Sequence, residues 1–252
     1  YNYIDDERRN LMNRVVLKNI SKSYYNQKGA LDVIEDLSLE VKEGEIVALV
    51  GPSGTGKSTI LNIIAGLVDF DDGSAMVDGK IGYMFQHDLL FDWKTVYQNL
   101  FIGLEIKNKI KEEDKIKALK LLEKYELLDF KTSLPKELSG GMRQRVALIR
   151  TLMINPNILL LDEPFSALDS QTRIKISNDV YQTIKDEKLT AILVTHDIAE
   201  AITLADRIII LSKRPAKVIK EYEINFGDIS PIEKRTNPLF LEYFDKIWND
   251  IA

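Results

Sequence analysis

Five short runs along the chain are apolar at nearly every position: "EIVALV", "KIGYMF", "NILLLD", "TAILVTH" and "RIIILS". Runs of this length, rich in β-branched residues, predict strands covered on both faces, as in a parallel sheet. Helical spacings separate several of them. The early part reads differently. "VVLKNISKSYY" and "LDVIEDLSLEV" alternate apolar with polar positions and carry turn residues, which predicts an antiparallel flank. From about Leu89 to Asn155 no strong strand signal occurs. There "KEEDKIKALKLLEKYELL" places Ile116, Leu119, Leu122 and Tyr125 three apart, which predicts an amphipathic helix. The pattern therefore suggests an α/β core, residues 12–88 and 156–230, with an α-helical subdomain inserted at about 89–155. In the tail, Asn237 can cap a helix and Pro238 suits its first position. The expected helix, 237–251, carries Leu239, Phe240, Tyr243, Phe244, Ile247, Trp248 and Ile251 in one stripe that should pack on the body.

Composition narrows the chemistry. A chain of 252 residues, 45% apolar and 29% charged, suits one globular α/β domain. It has no cysteine and only two histidines, His87 and His196, which excludes a thiolate metal site and argues against a histidine-built zinc site. Net charge is −5, and the lysines of "IKNKIKEEDKIKALK" alternate with acids. That is a solvated helix face rather than a basic stripe, so nucleic acid is not an expected partner. No apolar run approaches the ~20 residues needed to cross a bilayer. The opening "YNYIDDERRN" is acidic and polar and does not read as a signal peptide. The chain is expected to be soluble and cytoplasmic, with docking on a membrane protein left open.

Chemistry concentrates at the ends of the apolar runs. "GPSGTGKST", between "EIVALV" and the helically spaced "TILNIIAGL", has Gly51, Gly56, Lys57 and Ser58 at the spacing of a phosphate-binding loop. Glycines let backbone N–H groups converge on phosphate oxygens, and the helix N-terminus adds positive potential. Pro52, Ser53, Gly54 and Thr55 complete the loop. Lys57 is expected on the β- and γ-phosphates, Ser58 on Mg²⁺ and Thr59 on an α-phosphate oxygen. "NILLLDEP" ends in Asp162, a candidate Mg²⁺ ligand, and Glu163, a candidate general base for water. Gln86 follows "IGYMF" and His196 follows "AILVT". Gln86 is expected to reach Mg²⁺ or the water, and His196 the γ-phosphate. A second glycine-bearing stretch, "KELSGGMRQR", opens a helix with Ser139, Gly140 and Gly141. Ser139 can cap that helix, and the two glycines bare its backbone.

Together these residues resemble an ABC-type ATP-binding subunit almost end to end, a P-loop NTPase with a RecA-like core. "GPSGTGKST" is similar to its Walker A, Gln86 to the Q-loop glutamine, and "LSGGMRQR" to the signature. "ILLLDEP" is similar to the Walker B, "SALD" to the D-loop and His196 to the switch histidine. Tyr24 in "SKSYY" matches the aromatic that stacks on adenine, with Tyr25 beside it. The resemblance implies ATP and Mg²⁺ as ligands and a head-to-tail dimer of two copies. Each ATP would lie between one copy's phosphate loop and the other's Ser139, Gly140 and Gly141. Asp169 would lie along the seam.

Branch is suggested by finer features. The distance from Gln86 to Leu138 leaves no room for the long coiled-coil insertion of the chromosome-maintenance and repair ATPases. A single cassette differs from the tandem translation-factor branch. "LLFDWKTVYQNL" and the tail resemble the importer ATPases for nitrate, sulfonate and taurine, with Phe91-Asp92 where that group commonly has Leu-Pro. The resemblance implies transmembrane permease subunits, an extracellular solute-binding protein acting indirectly, and a place on the cytoplasmic face of the cell membrane. Leu90, Phe91 and Trp93 would then shape a groove for a permease helix. The alternative is a soluble ABC ATPase that assembles or remodels cytosolic proteins. A GTPase switch is disfavoured because no N-K-x-D guanine motif occurs.

Overall fold

The computed structural model describes residues 13–26, 29–106, 110–227 and 229–251. The opening decapeptide, read above as not a signal peptide, lies outside them. Strands β1 (Asn13–Asn26) and β2 (Gly29–Lys42) pair antiparallel, as the alternation suggests. Then follow β3 (Ile46–Val50), α1 (Lys57–Ile64), β4 (Asp72–Val77) and β5 (Ile81–Met84). Next come α2 (Val96–Glu105), α3 (Glu112–Lys124), two short 3₁₀ turns and α4 (Gly140–Met153). The chain continues through β6 (Ile158–Asp162), α5 (Ser170–Asp186), β7 (Thr190–Thr195), α6 (Ile198–Leu204) and β8 (Arg207–Leu211). It closes with β9 (Val218–Glu223), α7 (Pro231–Thr236) and α8 (Pro238–Ile251).

The five apolar runs form the parallel part of one six-stranded sheet, in the order β5-β6-β7-β3-β8-β9. Their lack of alternation has a direct cause: the sheet separates two cores. Ile46, Ala48, Val50, Leu159 and Leu161 face the helical side, with α2, α3 and α4. Val47, Leu49, Ile158 and Leu160 face α1 and the antiparallel sheet. With apolar cover on both faces, neither set of side chains can be polar.

Two strands lack a signal in the pattern. β4 joins the antiparallel sheet beyond β1, and its residues are nearly all exposed. β9 is an antiparallel edge strand on β8 and is likewise mostly exposed. Neither has an apolar face for the sequence to betray.

Two helix stripes need correction. In α3 the buried residues are Ala118, Leu121 and Leu122, with Tyr125 at its C-terminus, whereas Ile116 and Leu119 are exposed. Steps of three fall 60° short of a full turn, so a three-apart series drifts around the helix instead of staying on one face. In α8, Ile247 is fully buried and Phe240, Tyr243, Phe244 and Ile251 pack against the helical-side core. Leu239 and Trp248 face outward. The start of α8 is as expected: the backbone N–H of Leu239 donates to Asn237 Oδ1 at 3.0 Å.

Candidate active site

A parallel sheet brings the C-terminal ends of its strands to one edge, and the turns that leave them meet there. The turn after β3 is the phosphate loop. Gly56 sits at φ +122° directly before α1, and its side supplies no cap. The first N–H groups of that helix are thus left without a side-chain acceptor, which makes them donors for an anion. A Cβ on Gly56 would stand 2.8 Å from Val33 Cγ1, so glycine is required there by both conformation and space. Lys57 is buried and donates from Nζ to the carbonyls of Gly51 and Pro52, at 2.7 and 2.8 Å. Burial pulls its ammonium below the ordinary lysine range, opposed by the charges of Glu163 and Asp162. Thr55 Oγ1 ties the loop by donating to Pro52 O at 2.8 Å.

Asp162 ends β6 and is 4% exposed. Burial pushes its carboxyl above the usual aspartate range, and a hydrogen bond with Ser58 pulls it back. Glu163 follows at φ +48°, a conformation uncommon for residues other than glycine, with its N–H donating to Val194 O at 2.9 Å. That turn aims its carboxylate between two neighbours. Gln86 Nε2 donates to Glu163 Oε2 at 3.3 Å, and His196 Nδ1 lies 3.5 Å from Oε1. Gln86 arrives from the end of β5 and His196 from the end of β7.

Ser53 through Thr59, Gln86 and Glu163 line a single cleft of about 370 Å³, together with Val33, Val194 and Arg214. The sequence-derived candidates that do not line it are as informative. Tyr24 lies on β1, 40% exposed, with the Lys22 ammonium 5.6 Å from its ring centre, and Tyr25 is more exposed still. Ser139, Gly140, Gly141 and Asp169 also lie outside the lining. Ser139 caps α4, accepting from Met142 N at 3.3 Å. A Cβ on Gly141 would meet Leu168 Cδ2 at 2.7 Å, so a larger residue there would require the Leu168 side chain to shift. At Gly140 the nearest atom to such a Cβ is Ala167 Cβ at 3.8 Å, which is ordinary contact. Among the described residues, none demands glycine at 140. Asp169 caps α5, accepting from the N–H groups of Gln171 and Thr172, and bonding to Thr172 holds its carboxyl below the usual range.

Three residues that position this machinery are absent from the sequence reading. Gln144, buried on α4, donates to Glu163 O and Ser166 Oγ, both at 3.3 Å, and accepts from Ala167 N at 3.2 Å. It fastens the loop that carries Glu163 to the helix that begins at Ser139. Asn99, fully buried on α2, accepts from Phe91 N and donates to the carbonyls of Phe91, Lys94 and Thr95. It organises the segment after Gln86, in which Leu90 is core, Phe91 half-buried and Trp93 74% exposed. Arg143 grips Asp88 of the same segment through Nε and Nη2, at 2.9 and 3.1 Å. Arg214 follows β8. It could have been found by asking what the fifth parallel strand delivers to the edge where the other four end.

Comparison with known proteins identifies the family. The family model described as ABC transporter matches residues 34–166. An uncharacterized ABC transporter ATP-binding protein of Bacillus subtilis is 41% identical over 242 residues, 92% of this chain and 93% of that protein. The aliphatic sulfonates import ATP-binding protein of Bacillus cereus is 43% identical over 217 residues, 83% of this chain and 85% of that one. A solved dimeric ATP-binding cassette, in a post-hydrolysis state bound to ADP and Pi, superposes with a TM-score of 0.77. It is 35% identical, covering 84% of this chain and all of that one. The chain belongs to the ABC transporter ATP-binding family.

Proposed function

We propose that the chain is the ATP-hydrolysing subunit of an importer for small solutes of the sulfonate, taurine or nitrate type, working on the cytoplasmic face of a membrane. The observation that carries this is the Glu163 carboxylate, held between Gln86 and His196 at the mouth of a phosphate cradle. The kinship with import ATPases supplies the direction of transport and the solute class.

In this reading the N–H groups of the loop and Lys57 bind the β- and γ-phosphates. Glu163 takes a proton from a water as that water's oxygen bonds the γ-phosphorus, and the bridging oxygen leaves with ADP. Gln86 orients the water, and His196 contacts the γ-phosphate. The donors suit Mg²⁺, a hard cation that prefers oxygen ligands. Asp162 is a buried carboxylate bonded to the Ser58 hydroxyl, within reach of the Lys57 charge. Asp162, Ser58 and Gln86 would hold the ion. It would neutralise the phosphate oxygens.

Two copies complete the site. Ser139, Gly140 and Gly141 stand outside the cleft of their own chain, and the space free at Gly140 suits a phosphate approaching from outside. Each would serve the ATP held by the other copy, with Asp169 along the seam and Tyr24 against adenine. The segment around Phe91 and Trp93 would receive a permease helix.

The test uses Glu163→Gln in the full chain. Hydrolysis should nearly vanish while ATP stays bound and dimers accumulate on size exclusion. Copurification should bring down a multi-spanning membrane protein. Normal turnover by the variant removes Glu163 as the base. Association with soluble proteins alone removes transport.

A further inference from the structure

We propose that Arg214 is a second cationic contact to the phosphates of the nucleotide, alongside Lys57. The inference rests on reading the cleft as the ATP site. It starts from topology. Four parallel strands deliver Gln86, the phosphate loop, Glu163 and His196 to one edge of the sheet. The fifth, β8, ends at Leu211, and the turn that follows brings Arg214 into the lining of the same cleft.

The turn is held in place rather than hanging free. Ser212 Oγ donates to Pro215 O at 2.8 Å and accepts from Lys217 N at 2.9 Å. The N–H of Ala216 donates to Val33 O at 2.8 Å, and Glu35 N donates to Ala216 O at 3.2 Å. Ala216 is fully buried. The turn is therefore stitched to β2 at Val33, a residue that lines the cleft and packs against Gly56.

Among the described residues Arg214 makes no ion pair and no hydrogen bond, whereas Arg143, Arg173 and Arg207 each meet a carboxylate. Among the described residues Lys57 and Arg214 are the two cations of the lining, against one carboxylate, Glu163. A guanidinium suits phosphate oxygens because its N–H groups form a planar fork that can engage two of them at once.

The test compares Arg214→Ala and Arg214→Lys with the wild-type chain by equilibrium binding of ATP and ADP and by steady-state hydrolysis. Arg214→Ala should weaken nucleotide binding roughly tenfold, the scale of a charge-assisted hydrogen bond at a partly open site. KM for ATP should rise by the same factor, while kcat falls by less than about threefold, the pattern of a binding contact. Arg214→Lys should recover part of the affinity, and the melting temperature without nucleotide should not move. Weakening shared by ATP and ADP assigns the contact to the α- or β-phosphate, and weakening confined to ATP assigns it to the γ-phosphate. Affinity within twofold of wild type for Arg214→Ala overturns the proposal, as does a fall in kcat with unchanged KM. Lys57→Ala is the control: if it also leaves ATP binding intact, the reading of the cleft fails. If Lys57→Ala abolishes binding and Arg214→Ala is silent, only the role of Arg214 fails.

Discussion

Replacing Gln144 by leucine keeps nearly the same volume and deletes every polar contact of one buried side chain. Three hydrogen bonds of 3.2–3.3 Å disappear, to Glu163 O, Ser166 Oγ and Ala167 N. These are long bonds, so each contributes about 0.5–1 kcal/mol, and the sum is about 2 kcal/mol. For a chain of this size that lowers the melting temperature by about 4–8 °C. The larger effect should be on turnover. The loop from Glu163 to Ala167 loses its tie to α4, and Glu163 already sits in an uncommon backbone conformation. A displacement of the base by about 1 Å costs roughly a hundredfold in rate. KM should hold, because Gln144 touches no residue of the phosphate cradle. Phosphate release against ATP concentration, beside scanning calorimetry, measures both quantities. A variant that melts early yet keeps kcat within threefold of wild type refutes the argument that this side chain places the base.

Asp162→Asn should abolish hydrolysis yet raise the melting temperature of the nucleotide-free protein, because it removes a charge that burial disfavours. The sign with pH follows: a carboxyl whose folded pKa is raised costs stability when ionised and regains it on protonation, so the gap between variant and wild type should close as pH falls through the folded pKa. Melting curves across that range check it, and a gap that widens toward acid refutes it. Asn99→Leu removes the four bonds that organise Phe91 to Thr95 and should cost about 2–4 kcal/mol. At temperatures where it stays folded, it should hydrolyse ATP alone but lose stimulation by a reconstituted permease. Equal stimulation of both proteins shows that the segment does not carry the coupling.

What the sequence reveals and hides follows from how each residue acts. β3, β6, β7 and β8 are legible because apolar cover on two faces leaves their central positions apolar. β4 and β9 are hidden because they lie at sheet edges with little to bury. The stripe of α3 misleads because equal steps of three mimic a face while drifting off it. Gly56, Lys57, Asp162 and Glu163 stand out because local backbone and adjacent charges constrain them within a few residues. Gln144, Asn99 and Arg214 do not. A glutamine among arginines looks like helix surface, and only the packing of α4 on the loop after β6 makes it a buried tie. Arg214 looks like one cation in a basic turn until the strand order places that turn beside the phosphate loop.

The close approach of Leu168 to Gly141, and the grip of Gln144 on the same loop, join two things that a paired molecule would use at different places. The signature end of a chain would serve its neighbour's ATP, and Glu163 would serve its own. Genetics should register that arrangement. A lesion that is recessive in a monomeric enzyme becomes dominant when each subunit supplies half of two sites and the halves are physically linked. In a cell making equal amounts of normal and Ser139-substituted chain, most randomly formed pairs carry at least one damaged copy, and the harm extends to the site whose own residues are intact.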